Sequence, residues 1–119
     1  PMTPTTNESA SKSMISPQTL EAAASRLHEA RPEATIIVFG SQARGDAKPD
    51  SDVDFLVVMP RPPASIRREM VELADLLRPL RLPADVLVVG AQRFRESAAV
   101  PGTFYHAVLQ EGKVLCGRL

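Results

Sequence analysis

Two hydrophobic periods alternate along the chain, and they set the predicted order of elements. Leu20, Ala23, Ala24 and Leu27 recur at helical spacing, which predicts an amphipathic helix to about Ala30. Ser16 is placed to cap it and Pro17 occupies its first position. Pro32 ends it. The β-branched run TIIVF, Thr35 to Phe39, predicts a strand that Gly40 breaks. Ser41 to Gly45 predicts one or two helical turns, and Gly45 to Ser51 a polar loop. Asp52 to Met59 is expected as the second strand, followed by a rigid connector at Pro60, Pro62 and Pro63. Ile66, Met70, Leu73, Leu76, Leu77 and Leu80 keep a helical period, so the longest helix is expected over 64–80. Asp85 to Val89 is a third strand, 91–98 a short helix, and Pro101-Gly102 a turn. Thr103 to Glu111 is a last helix, stopped at Gly112, and Lys113 to Leu115 a closing strand. No internal repeat is visible. The fold class is α+β: a small mixed β-sheet flanked by helices.

Residues 1–15, PMTPTTNESASKSMI, have no apolar period and are rich in Ser, Thr and Pro. They are expected to form a disordered tail, leaving 16–119 as a single domain. Pro1 is not an initiator, so Met2 or Met14 is the expected natural start. Acidic and basic residues balance at 14 each, which disfavours generic binding to nucleic acid or anionic membranes. No run is long and apolar enough to span a bilayer. The one cysteine, Cys116, allows no internal disulfide and no zinc cluster by itself, and fits a reducing cytoplasm.

Chemistry concentrates in VFGSQARGDAKPDSDVDFLVV, residues 38–58. In a strand, residues i and i+2 share a face, so Asp52 and Asp54 project together, with Cα atoms roughly 6.5 Å apart. Val53, Phe55 and Val57 then point the other way, into a core. Two half-dried carboxylates that close repel unless one takes a proton or a cation neutralises both. Their hard oxygens suit Mg²⁺. Asp85 opens the next strand in the same form, an acid before an apolar run. If the strands are neighbours, three acids meet at one sheet edge and can hold two metals at roughly 3.5–4 Å, as in-line displacement at phosphorus uses.

Gly40 leaves a strand, and without a Cβ it lets backbone approach a ligand. Ser41 begins a helical turn whose free N–H groups favour phosphate. Arg44, three residues on, lies on the same side and can pair with phosphate oxygens. The pattern therefore predicts a metal-bound nucleoside triphosphate between the turn and the acids.

Gly40-Ser41-Gln42-Ala43-Arg44-Gly45, then Ser51-Asp52-Val53-Asp54, then Asp85 on a later strand, resembles the nucleotidyltransferase superfamily of the DNA polymerase β type. The likeness is densest from Ile37 to Val58 and closest to the minimal nucleotidyltransferases. These are small single domains, often the antitoxin of a pair whose toxin is a helical HEPN ribonuclease. LQEGKVLCG also looks like the end of such a domain. The resemblance implies the polymerase β-like fold, with Asp52, Asp54 and Asp85 as catalytic metal ligands and Asp85 as base for the attacking hydroxyl. It further implies Gly40 and Ser41 as the triphosphate turn, with Arg44 in the pattern that follows it. ATP is the implied substrate, and AMP transfer to a tyrosine of the toxin the implied reaction. Larger relatives carry a second domain that grips the base or the acceptor, so here a protein partner is expected to complete the cleft.

Two other functions fit the same residues: an antitoxin that neutralises by binding alone, and transfer to a small molecule such as an aminoglycoside. An exposed sheet edge could pair two copies of the chain. Asp46, Lys48 and Asp50 are expected to solvate the loop. His28 and His106 lack a second ligand at metal spacing and are expected to be structural or surface groups, while Met59 and Met70 are expected in the core. Arg61, Arg67, Arg68, Arg78 and Arg81 form a basic stretch around one helix, expected as a solvated face.

Overall fold

The computed structural model describes residues 15–46 and 52–119. The elements run α1 (Pro17–Ala30), β1 (Thr35–Phe39), α2 (Ser41–Arg44), β2 (Val53–Met59), α3 (Ile66–Leu76), a 3-10 turn (Arg78–Leu80), β3 (Ala84–Gly90), α4 (Ala91–Ala98), α5 (Phe104–Glu111) and β4 (Lys113–Cys116). Local chemistry sets most of the boundaries. The Ser16 side chain accepts the Thr19 N–H, and Pro17 follows it in the first turn of α1. Ser65 caps α3 by accepting the Arg68 N–H, and Thr103 caps α5 by accepting that of His106.

The strands form one sheet in the order β3-β2-β1-β4. β1 is antiparallel to both β2 and β4, whereas β2 and β3 are parallel. A parallel pair needs a long crossover, and α3 with its 3-10 turn supplies it. Both faces are covered. On one, Val53, Phe55 and Val57 of β2 pack with Ile36 and Val38 of β1 against Leu27 of α1 and Leu73 of α3. On the other, Leu56 and Val58 pack with Ile37 and Val89 against Phe94 of α4 and Val108 of α5. Val53, Phe55, Leu56 and Val57 are all fully buried. This explains why β2 is a continuous apolar run after its acids. Among the described residues, no helix is long and apolar enough to cross a membrane.

Several expectations change in detail. The helix expected over 64–80 spans Ile66–Leu76 and then tightens into the 3-10 turn, so α1, with 14 residues against 11, is the longer. Pro79 has no N–H to continue the α-helical ladder. Leu77 and Leu80 still pack on the core, which kept the apolar period running past the true end. β2 begins at Val53, with Asp52 just before it, and β3 is longer than expected at both ends. Met59 and Met70 are partly buried against the core rather than inside it. Ile15, at the end of the stretch read as a tail, packs on the core and donates its N–H to Gln42 Oε1 at 3.2 Å. The rest of that stretch, and 47–51 of the polar loop with Lys48 and Asp50, lie outside the described residues.

Candidate active site

Asp54 shares its face of β2 with Leu56 and Val58, and it is the first residue of the strand on that face. The parallel register sets Asp54 directly beside Asp85, one strand spacing of about 4.8 Å away. Asp85 lies on the same face as Leu87 and Val89 by the same alternation. Asp52 lies just before the strand, near enough for its charge to act on Asp54. Asp52 and Asp85 are exposed, whereas Asp54 is half-buried. Burial raises the Asp54 carboxyl above the usual carboxylate range, and the charges of Asp85 and then Asp52 raise it further, with Arg44 opposing them. Both neighbouring acids thus act on Asp54. Among the described residues, no three carboxylate, imidazole or thiol groups are closed on one point. The acids line the strand ends rather than form a finished cage.

The turn after β1 meets this row from the other side. Phe39 pairs with Asp54 across the antiparallel ladder, and Gly40 follows at φ 77, ψ −151, a conformation that is essentially glycine's alone. A Cβ built on Gly40 would sit 2.6 Å from Asp54 Oδ2. What the missing side chain admits is therefore the Asp54 carboxylate itself. Ser41, half-buried, then opens α2, whose first-turn N–H groups have no intrahelical acceptor. Gly45, left-handed at φ 87, closes α2 after one turn by donating its N–H to Ser41 O at 2.9 Å.

Arg44 is exposed. Its Nε donates to Asp46 Oδ2 and its Nη1 to Glu111 Oε1, both at 3.4 Å. The expected phosphate-pairing residue thus has two carboxylate partners here, at lengths and exposures that hold it weakly. A cavity of about 210 Å³ opens beside it, lined by Phe39, Gly40, Arg44, Phe104, Val108 and Glu111. Two larger cavities, about 360 and 460 Å³, open around Glu33 and Pro60 at the opposite end of the sheet, away from the acids.

Gln42 and Phe104 were missed in the sequence. Gln42 is 4% exposed inside the phosphate-turn motif and anchors the entry to α1. Its only signal was its polarity at the centre of a turn packed against two strands. Phe104 is half-exposed and stands edge-on to Phe39 at 5.5 Å. At the start of an amphipathic helix it carries the same pattern as a core residue. The histidines lie away from the acids. His106 Nδ1 is 2.9 Å from Ala98 O and ties α5 to α4, while His28 Nδ1 is buried with no partner among the described residues.

Residues 19–109 match the family model for the nucleotidyltransferase domain, and the chain belongs to that family. The sheet with its helices has the polymerase β-like nucleotidyltransferase fold. No curated protein matches the sequence significantly. Three similar solved structures share the fold. A toxin–antitoxin structure with AMP-PNP is 23% identical at TM-score 0.58, over 82% of this chain and 73% of that one. The tri-AMPylated Shewanella oneidensis HEPN toxin in complex with MNT antitoxin gives 21% identity and TM-score 0.54, over 85% and 72%. The toxin–antitoxin MntA-HepT gives 22% and 0.52, over 85% and 73%.

Proposed function

We propose that this chain is a Mg²⁺-dependent nucleotidyltransferase that moves AMP from ATP to a tyrosine hydroxyl of a helical HEPN-type toxin, acting as its antitoxin. The observation that carries this reading is the register of β2 on β3, which sets Asp54 beside Asp85, together with Gly40 against the Asp54 carboxylate. The nucleotide and the partner are supported by the solved relatives, one with AMP-PNP and one with an AMPylated toxin.

The donor set fits magnesium. All three acids offer hard oxygens, and the Cβ-free backbone at Gly40 leaves the Asp54 carboxylate unobstructed. Asp52, Asp54 and Asp85 would hold the metal, two ions in all. When bound, it supplies charge neutralisation of the triphosphate and of the departing pyrophosphate. The Ser41 hydroxyl and the N–H groups that start α2 hold terminal phosphate oxygens. Arg44, released from Glu111 and Asp46, pairs with the same oxygens. Asp85 takes the proton of the attacking hydroxyl. The new bond joins that oxygen to the α-phosphorus as the α–β bridging P–O bond breaks, and pyrophosphate leaves.

The experiment incubates the protein with α-labelled ATP, Mg²⁺ and a cognate HEPN protein. Label on a tyrosine of the partner is expected, and its loss in the double variant Asp52→Asn, Asp54→Asn. Equal labelling by that variant contradicts the reading. So does a variant that transfers nothing yet neutralises the toxin as well as the native chain, which would mean that binding alone suffices.

A further inference from the structure

Arg81 ends the 3-10 turn in a left-handed backbone, φ 52 and ψ 37, and donates its N–H to Arg78 O at 2.9 Å. Among the described residues it is the one non-glycine position with positive φ. Turn ends of this kind select glycine or asparagine, because the Cβ of an L residue crowds the following carbonyl oxygen there. Strain retained in the loop that feeds Asp85 calls for a use of the side chain.

Position supplies one. Two residues on, Pro83 O accepts the Val53 N–H at 2.9 Å, so this loop runs beside the start of β2 and hence beside Asp52. Two residues of chain span at most about 7 Å, a distance that an extended arginine covers. Arg81 is exposed and, like most of the arginines, makes no ion pair among the described residues, so its guanidinium is uncommitted. The loop that carries it enters β3 on one side of β2, whereas Arg44 follows β1 on the other.

We infer that Arg81 is a phosphate-binding residue of this site, a second guanidinium that engages the metal-bound triphosphate from the β3 side. The inference rests on the nucleotidyltransferase reading above. A planar guanidinium suits polyphosphate oxygens.

The test is calorimetric binding of a non-hydrolysable ATP analogue with Mg²⁺ to the full chain and to Arg81→Gly and Arg81→Lys, with thermal melts of each. Arg81→Gly is expected to weaken binding about 10-fold, to bind with a shallower dependence on salt, and to melt at the native temperature or a few degrees higher. Arg81→Lys should recover part of the affinity. In the transfer assay, KM for ATP should rise while kcat changes less than about threefold. Native affinity in Arg81→Gly, or a melting temperature that falls along with affinity, overturns the inference and leaves the nucleotide reading intact. A native chain that binds no triphosphate overturns both.

Discussion

Gly40→Ala separates what the turn does for folding from what it does for chemistry. The backbone there, φ 77 and ψ −151, lies in a region that costs a non-glycine residue about 1–3 kcal/mol. For a domain of this size, each kcal/mol lowers Tm by roughly 4–8 °C, so the variant should melt about 5 to 20 °C below the native chain. The new Cβ adds a contact of 2.6 Å to Asp54 Oδ2, but Asp54 Cγ and Cβ would be 3.5 and 3.8 Å away. Only the carboxylate oxygen has to move, and rotation of the carboxyl achieves that cheaply. The collision therefore adds little to the folding cost. It does displace the Asp54 oxygen, and a shift of about 1 Å in a reacting constellation is worth on the order of 100-fold in rate. Thermal melts should give the same penalty for Gly40→Ala in the native and Asp54→Ala backgrounds, within about 0.5 kcal/mol. Transfer assays below Tm should show a loss of about 100-fold in the single variant. Activity kept within about threefold in Gly40→Ala, or a folding penalty that vanishes once Asp54 is alanine, would refute this role for Gly40.

Asp54→Asn should stabilise the chain in chelator-containing buffer at pH 7 while abolishing transfer. Folding raises the Asp54 carboxyl above its ordinary range through burial and then its acidic neighbours, so the folded state binds that proton more tightly. The stability this confers is present at low pH and is lost as pH rises through the folded value, leaving ionised Asp54 a net cost at neutrality. Melts across pH should show the gain from asparagine shrinking toward the ordinary carboxylate range, and a constant gain contradicts the assignment. Glu69→Ala should cost about 2–3 kcal/mol by denaturant unfolding, below the range for a fully buried pair. Glu69 is 8% exposed and pairs with Arg31, whose side chain is 30% exposed and also reaches Glu72. A loss under about 0.5 kcal/mol would mean that Arg31 reorganises onto Glu72. Arg44→Ala should weaken triphosphate binding about 10-fold with little change in Tm, because its two long, exposed ion pairs contribute little to folding.

Most of the element order was legible because each element carries a local signal. β1 is short and β-branched, α1 has Ser16 and Pro17 at its start, and α5 stops at Gly112. The facing of Asp54 was legible from strand alternation, whereas Asp52 lies just before β2, where alternation no longer fixes it. The register that sets Asp85 against Asp54 was not, since it depends on how α3 and the following loop return the chain to the sheet. The break at Pro79 was hidden because Leu77 and Leu80 continue to serve the core after the helix ends. Arg44 was read by its place in a motif, and its contacts with Asp46 and Glu111 depend on where α5 packs. Arg81 looked like one of several surface cations. Only its backbone angle and its place before β3 distinguish it.

In the proposed reaction Asp52, Asp54 and Asp85 jointly hold magnesium and a triphosphate against the Gly40–Ser41 turn. A crystal structure of the chain with Mg²⁺ and a non-hydrolysable ATP analogue tests it most directly. Metal is expected bonded to oxygens of Asp54 and at least one of its two partners at about 2.1 Å, with terminal phosphate oxygens on the N–H groups that open α2. Metal or nucleotide bound elsewhere, with the Asp85 carboxylate turned away from Asp54, would contradict it.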